Sequence, residues 1–229
     1  MIEQASPMLP ETPRSPAPLG LADRLRMETR SAHGEAERVA MAYLFHPTVL
    51  TRRRYAIYLC GLHAIYQALE SQLDRYRRHP VLGAIYFPEL KRTSRLASDL
   101  AHLDHGSASP AAPTAAAIAY KNHLHVVAEE NPLGLIAHIY TRYLGDLSGG
   151  QMLKNMIRRT LQLESEDSVA SLLFPEIADL GAFKTMFRAR LNALPLSPKE
   201  VEAVSAEACT AFSLTRALFE SLALPQLGS

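Results

Sequence analysis

From Leu19 onward, apolar side chains recur every three or four residues, the spacing that lines one face of an α-helix, and the two-residue alternation of strands is almost absent. Leu21, Leu25, Thr29, Ala32, Ala36 and Val39 or Ala40 set out a first amphipathic helix. After a break at His46-Pro47, the stripe Leu50, Tyr55, Tyr58, Leu62, Tyr66, Leu69 and Leu73 predicts a long helix over residues 48–78, ended by Pro80. Tyr86-Phe87-Pro88 then connects to a helix over about 89–103, and a turn-rich loop covers 104–113. Further helices are predicted over 114–129, 132–163 and 177–194. Ser197-Pro198-Lys199-Glu200 opens a last one, with a serine cap, proline at the first helical position and glutamate at the third. No internal repeat is visible, and the pattern predicts a single all-α domain over 19–224.

One stretch breaks this regularity. Tyr140–Gln151 lies inside the helical run 132–163 yet carries Gly145, Gly149 and Gly150. Each glycine in a helix interior costs about 1 kcal/mol relative to alanine. Two readings are compatible with that cost. The small residues let another helix pack closely or end the helix at Gly149-Gly150, or they clear one face so that the backbone lies against a flat ligand, with Asp146 as the charged group there.

Composition narrows the class. The chain has 229 residues, 48% hydrophobic and 21% charged, with a formal net charge of +1, and nothing in that balance asks for nucleic acid. Cys60 and Cys209 form no CxxC pair, which argues against a disulfide framework or a thiolate metal site and for a reducing cytoplasm. Residues 1–18, with prolines at 7, 10, 13, 16 and 18, read as a disordered leader, and 225–229 as a short tail. No window approaches the ~20 apolar residues of a spanning helix, so no membrane association is expected.

The candidate chemistry starts at His33. On a straight helix Arg26, Arg30 and Glu37 fall within roughly 60° of it, placing two guanidinium groups and a carboxylate in the sector of one imidazole. A lone helical histidine is commonly a plain surface residue. Here Glu37 can hold its second ring nitrogen, directly or through water, as the partner of a metal-bound imidazole does, and the arginines suit carboxylates on a ligand. HExxH, GxSxG, GxGxxG and P-loop signatures are absent, as is the Glu-x-x-His pairing of a dinuclear centre. A single imidazole, arginines and a glycine-cleared wall suit a haem: imidazole on one side of the iron, cations at the propionates, bare backbone over the other face. Lys184 and Arg188, four apart beside Phe187, can complete the propionate end.

These residues carry a family resemblance. Tyr140–Gln151, preceded by Ala137-His138, is similar to the distal-helix motif of the haem oxygenases, and the likeness extends through 21–37, 86–90, 183–194 and 211–222. The resemblance implies an all-helical single domain with haem, both cofactor and substrate, sandwiched between a proximal and a kinked distal helix. It implies His33 as the iron ligand with Glu37 associated, and Arg26 and Arg30 as basic residues of the proximal helix. Tyr140, Lys184 and Arg188 then contact propionates, Gly145 and Gly149 are the distal glycines, and Asp146 orders distal water with Arg142 in its network.

Two positions depart from the mammalian pattern: His63 replaces a tyrosine near the distal aspartate, and no hydrophobic C-terminal tail follows, as in soluble bacterial forms. The implied reaction uses O2 and electrons from an external ferredoxin- or flavodoxin-type donor and yields biliverdin, carbon monoxide and ferrous iron, with a bilin-accepting photoreceptor as a further partner. The alternatives are a non-enzymatic haem storage or transport protein, and a helical protein for another small molecule.

Overall fold

A computed structural model describes residues 19–103 and 111–223; the leader at 1–18, most of the 104–113 loop and the tail at 225–229 lie outside them. Among the described residues every regular element is helical: α1 (Leu21–Glu28), α2 (Arg30–Ala40), α3 (Arg52–Arg75), α4 (Thr93–Leu103), α5 (Ala115–Glu130), α6 (Leu135–Leu161), α7 (Leu180–Asn192) and α8 (Pro198–Glu220). The core gathers around α6, where Leu135, Ile136, Ala137 and Ile139 are fully buried. Its neighbours include α3, α5, α7 and α8. The α8 helix also packs on α2, so α2 and α6 share one floor rather than lying closely on each other.

The single first helix that periodicity predicts is broken in two. Thr29 leaves helical geometry at φ −92° and ψ 1°, and its buried hydroxyl donates to the Leu25 carbonyl oxygen at 2.7 Å. A threonine bonding back four residues competes with the helical ladder and bends it. The α3 helix begins at Arg52, where Thr51 accepts from the Arg54 N–H at 3.2 Å. The α4 helix begins at Thr93 rather than near residue 89, because Pro88–Leu90 forms a 3-10 turn. Ser197 and Glu200 close the capping box on α8.

A further 3-10 element, Glu166–Leu172, was not legible as a helix. It is held by polar groups from the core. Arg92, 1% exposed, donates to the carbonyl oxygens of Ser171 and Leu173 and to those of Glu89 and Leu90. Its guanidinium lies 3.9 Å from the Phe174 ring centroid. Asp99 accepts from the N–H groups of Ala170 and Ser171 at 2.6 and 3.0 Å. A buried guanidinium whose donors all meet carbonyls escapes the cost of an unpaired charge, and it ties three chain segments into one arrangement.

The α1 helix has no side-chain cap of its own at Gly20. Asn192, 170 residues later at the end of α7, supplies one: its Oδ1 accepts from the Ala22 N–H at 2.8 Å. Gly20 permits the approach, since a Cβ there would sit 2.4 Å from Asn192 Cγ. This contact brings the basic residues of α1 and α7 to one end of the molecule. Asn192→Ala should remove about 1 kcal/mol, lowering the calorimetric Tm by about 2–4 °C for a chain of this size. An unchanged Tm would mean that α1 is held by its apolar face alone.

Candidate functional site

The glycines of α6 divide into two kinds. A Cβ on Gly145 would meet nothing within 4 Å, and one on Gly149 only Leu153 Cδ1 at 4.0 Å, so both face open space. A Cβ on Gly150 would come within 3.2 Å of the Leu172 carbonyl oxygen. Gly150 therefore serves close packing against the Glu166–Leu172 turn, whereas Gly145 and Gly149 leave a strip of backbone uncovered. The helix does not end at Gly149-Gly150 but continues to Leu161.

Beneath that strip lies a chain of polar groups. Arg142, 6% exposed, donates from Nε to the Tyr66 hydroxyl at 3.3 Å and rests 5.2 Å from its ring centroid. The Tyr66 hydroxyl in turn donates to Asp146 Oδ2 through a short hydrogen bond. Burial pushes the Asp146 carboxyl above its ordinary range, against the pull of Arg142 and the Tyr66 hydrogen bond. Burial raises Tyr58 to about 12 and Tyr66 well above its usual value, Arg142 opposing in both, so these phenols remain protonated donors at neutral pH.

The His33 side chain is 60% exposed, and its ring meets Phe212 of α8 edge-on at 5.5 Å. Its Nδ1 stands 4.0 Å from Glu37 Oε2, too long for a direct hydrogen bond and suited to a bridging water. The imidazole is thus turned outward with room to take a ligand.

Positive charge collects at one end. Burial raises the hydroxyl pKa of half-buried Tyr140, while a hydrogen bond with Thr29 and the charges of Arg188 and Arg26 lower it, so these groups converge where the Thr29 bend meets α6 and α7. Lys184 lies one turn before Arg188 on α7, and Arg30 sits exposed at the start of α2. Because the bend separates Arg26 from His33, the straight-helix angle between them does not carry over. The charge of Arg26 bears on Tyr140 instead.

His63 is half-buried on α3, but the hydroxyl that reaches Asp146 belongs to Tyr66, one turn later. Periodicity assigned Tyr66 and Tyr58 only to the apolar stripe. The missed signal is that a buried tyrosine needs a partner for its hydroxyl, and Tyr66 follows His63 by one turn. An outward imidazole, a bare strip of backbone and cations at one end fit a flat, carboxylate-bearing macrocycle with an axial metal position. That is the donor set of a haem.

A family model described as Heme oxygenase matches residues 19–221. Heme oxygenase 2 of Synechocystis sp. is 40% identical over 206 residues, spanning 88% of this chain and 82% of that protein. Heme oxygenase 1 of Homo sapiens is 38% identical over 208 residues, spanning 90% of this chain and 72% of that protein. The crystal structure of heme oxygenase-1 from Synechocystis sp. in complex with heme superposes with a TM-score of 0.84 at 36% identity, covering 89% of this chain and 92% of that one. That of heme oxygenase-2 in complex with heme and NO gives 0.83 at 40% identity, covering 89% and 85%. The match runs through every described helix, and the chain belongs to the haem oxygenase family.

Proposed function

We propose that this chain binds haem between α2 and α6 and, with O2 and electrons from an external donor protein, cleaves it to biliverdin, carbon monoxide and ferrous iron. The observation that carries the reading is the open strip at Gly145 and Gly149 beside the Tyr66–Asp146 hydrogen bond, in a chain that also carries an outward His33 on α2. In it His33 holds the iron with Glu37 as a water-linked partner, and Tyr140, Arg26, Arg30, Lys184 and Arg188 hold the propionates. Bound haem supplies the iron that activates O2 and the macrocycle edge that is oxidised.

The chain's own part is to seat the ring and to move protons. Gly145 and Gly149 let backbone approach the distal face where a side chain would block it. Asp146 Oδ2 is engaged by Tyr66, leaving Oδ1 to accept from a water and orient it, so that the water would deliver the proton to the reacting face. Arg142 fixes the Tyr66 hydroxyl and so the direction of the carboxylate. A haem carrier would use His33 and the cations but gains nothing from a buried carboxylate under a glycine strip, which favours the oxygenase.

No described helix is long and apolar enough to cross a membrane. Arg52 donates to the Leu161 carbonyl oxygen at the end of α6 and Arg75 pairs with Glu129, so an acidic electron donor would draw on exposed Arg77 and Arg78.

His33→Ala should shift and broaden the Soret band of the ferric complex and abolish bilin formation, with both restored by added imidazole; wild-type turnover without imidazole would remove His33 as the ligand. Asp146→Ala should keep haem binding but slow bilin formation at least about tenfold, equivalent to ~1.4 kcal/mol of barrier, while raising peroxidation of an added phenol. Tyr66→Phe should slow bilin formation severalfold with an unchanged Soret band, since it frees Asp146 to turn without removing it. Normal turnover in both variants would sink the proton-delivery role.

A further inference from the structure

Three side chains outside the haem cleft converge on one point. His123 on α5 and His138 on α6 both direct Nε2 at Glu207 Oε1 on α8, at 2.7 and 2.9 Å, and the three donor atoms lie within 4.8 Å of one another. We propose that His123, His138 and Glu207 form a binding site for a divalent first-row transition metal ion such as Zn2+. The site stands about 12 Å along α6 from Asp146 at 1.5 Å per residue.

The donor chemistry is that of a two-imidazole, one-carboxylate set, which suits zinc and ferrous iron. Ligands about 2.1 Å from a metal stand about 3.0–3.4 Å apart across its octahedral or tetrahedral edges. The two nitrogen–oxygen separations need to open by a few tenths of an ångström, and the two nitrogens, within 4.8 Å of each other, to settle at a similar edge. The His138 side chain is fully buried, while those of His123 and Glu207 are 29% and 20% exposed, so one side of the triad is open to entry and to water as remaining ligand. Gly134 shapes the wall: a Cβ there would strike Val127 Cγ1 at 2.8 Å and stand 3.5 Å from Glu207 Cγ.

The surroundings supply the tautomer a metal requires. Tyr120 Oη lies 3.1 Å from His138 Nδ1 and also hydrogen-bonds Thr215, whose hydroxyl donates to the Ala211 carbonyl oxygen at 2.8 Å. Tyr120 can therefore donate to Thr215 and accept from His138 Nδ1–H. That leaves the Nε2 lone pair for a metal, the arrangement in which a second hydrogen bond orients a ligating imidazole. Burial holds the His138 pKa below its ordinary value, which favours the neutral ring. Without a metal the same atoms form a hydrogen-bonded triad, and this is the rival.

The test is titration of the haem-loaded full-length chain with Zn2+ by calorimetry, so that haem occupies its own site. The expected result is one Zn2+ per chain at pH 7.5. Affinity should fall about a hundredfold in His123→Ala and in Glu207→Gln, with the Soret band unchanged in both. Absence of binding, or equal binding by wild type and both variants, would overturn the site and leave the triad a hydrogen-bond network.

Discussion

The buried guanidinium of Arg142 is the constraint on which the site depends. A cation at 6% exposure in a helical core is tolerated only with polar partners: the Tyr66 hydroxyl accepts from it, and the Asp146 carboxylate held by Tyr66 acts on it through its charge. The arrangement fixes more than a charge. Tyr66 belongs to α3 while Arg142 and Asp146 sit four apart on α6, so the hydrogen bonds hold the two helices in one register. A half-turn slip of either would bury a charge without a partner. The register that satisfies Arg142 is also the one that leaves Gly145 and Gly149 facing open space.

The other wall is set by indirect means. The α2 and α6 helices share α8 as a floor, and Phe212 of α8 supports the His33 ring. The bend at Thr29 lets α1 leave the line of α2, and Asn192 then ties the start of α1 to the end of α7. Arg26 and Arg188 come to Tyr140 through this junction. The positive end of the cleft is therefore a consequence of a helix break and a cap supplied across the chain, neither of which adds apolar burial of its own.

How much of this could be read from sequence follows from which interactions are local. Helix periods, the Ser197–Glu200 capping box and the anomaly of three glycines in one helix are written within a few residues, and the structure shows all of them as regular features. The bend at Thr29 is a competition between one hydroxyl and one backbone bond, which apolar periodicity does not register. Arg92 and Asp99 organise Glu166–Leu172 through contacts 71 or more residues away, so that segment carries no local helical signal. Tyr66 was hidden for a different reason: it occupies an apolar-stripe position and is fully buried, and only its hydroxyl departs from that role. The two kinds of glycine were inseparable by spacing, because Gly149 and Gly150 differ only in what stands opposite.

The buried polar residues of α6 form a spine at four-residue intervals, His138, Arg142 and Asp146, successive members turned by about 40°. Each end is tied to different helices: His138 to Tyr120 of α5 and Glu207 of α8, Asp146 to Tyr66 of α3. Arg142 lies between them and acts on both. Its charge opposes protonation of His138, adding to burial, and opposes protonation of Asp146, against burial. A polar stripe through the centre of a bundle costs stability relative to packed apolar side chains. What it provides is orientation, since an apolar α6 could rotate or slide among α3, α5 and α8 with little penalty, whereas this one satisfies its polar atoms in a single position. The same constraint that holds α6 in place therefore turns its glycine strip toward open space.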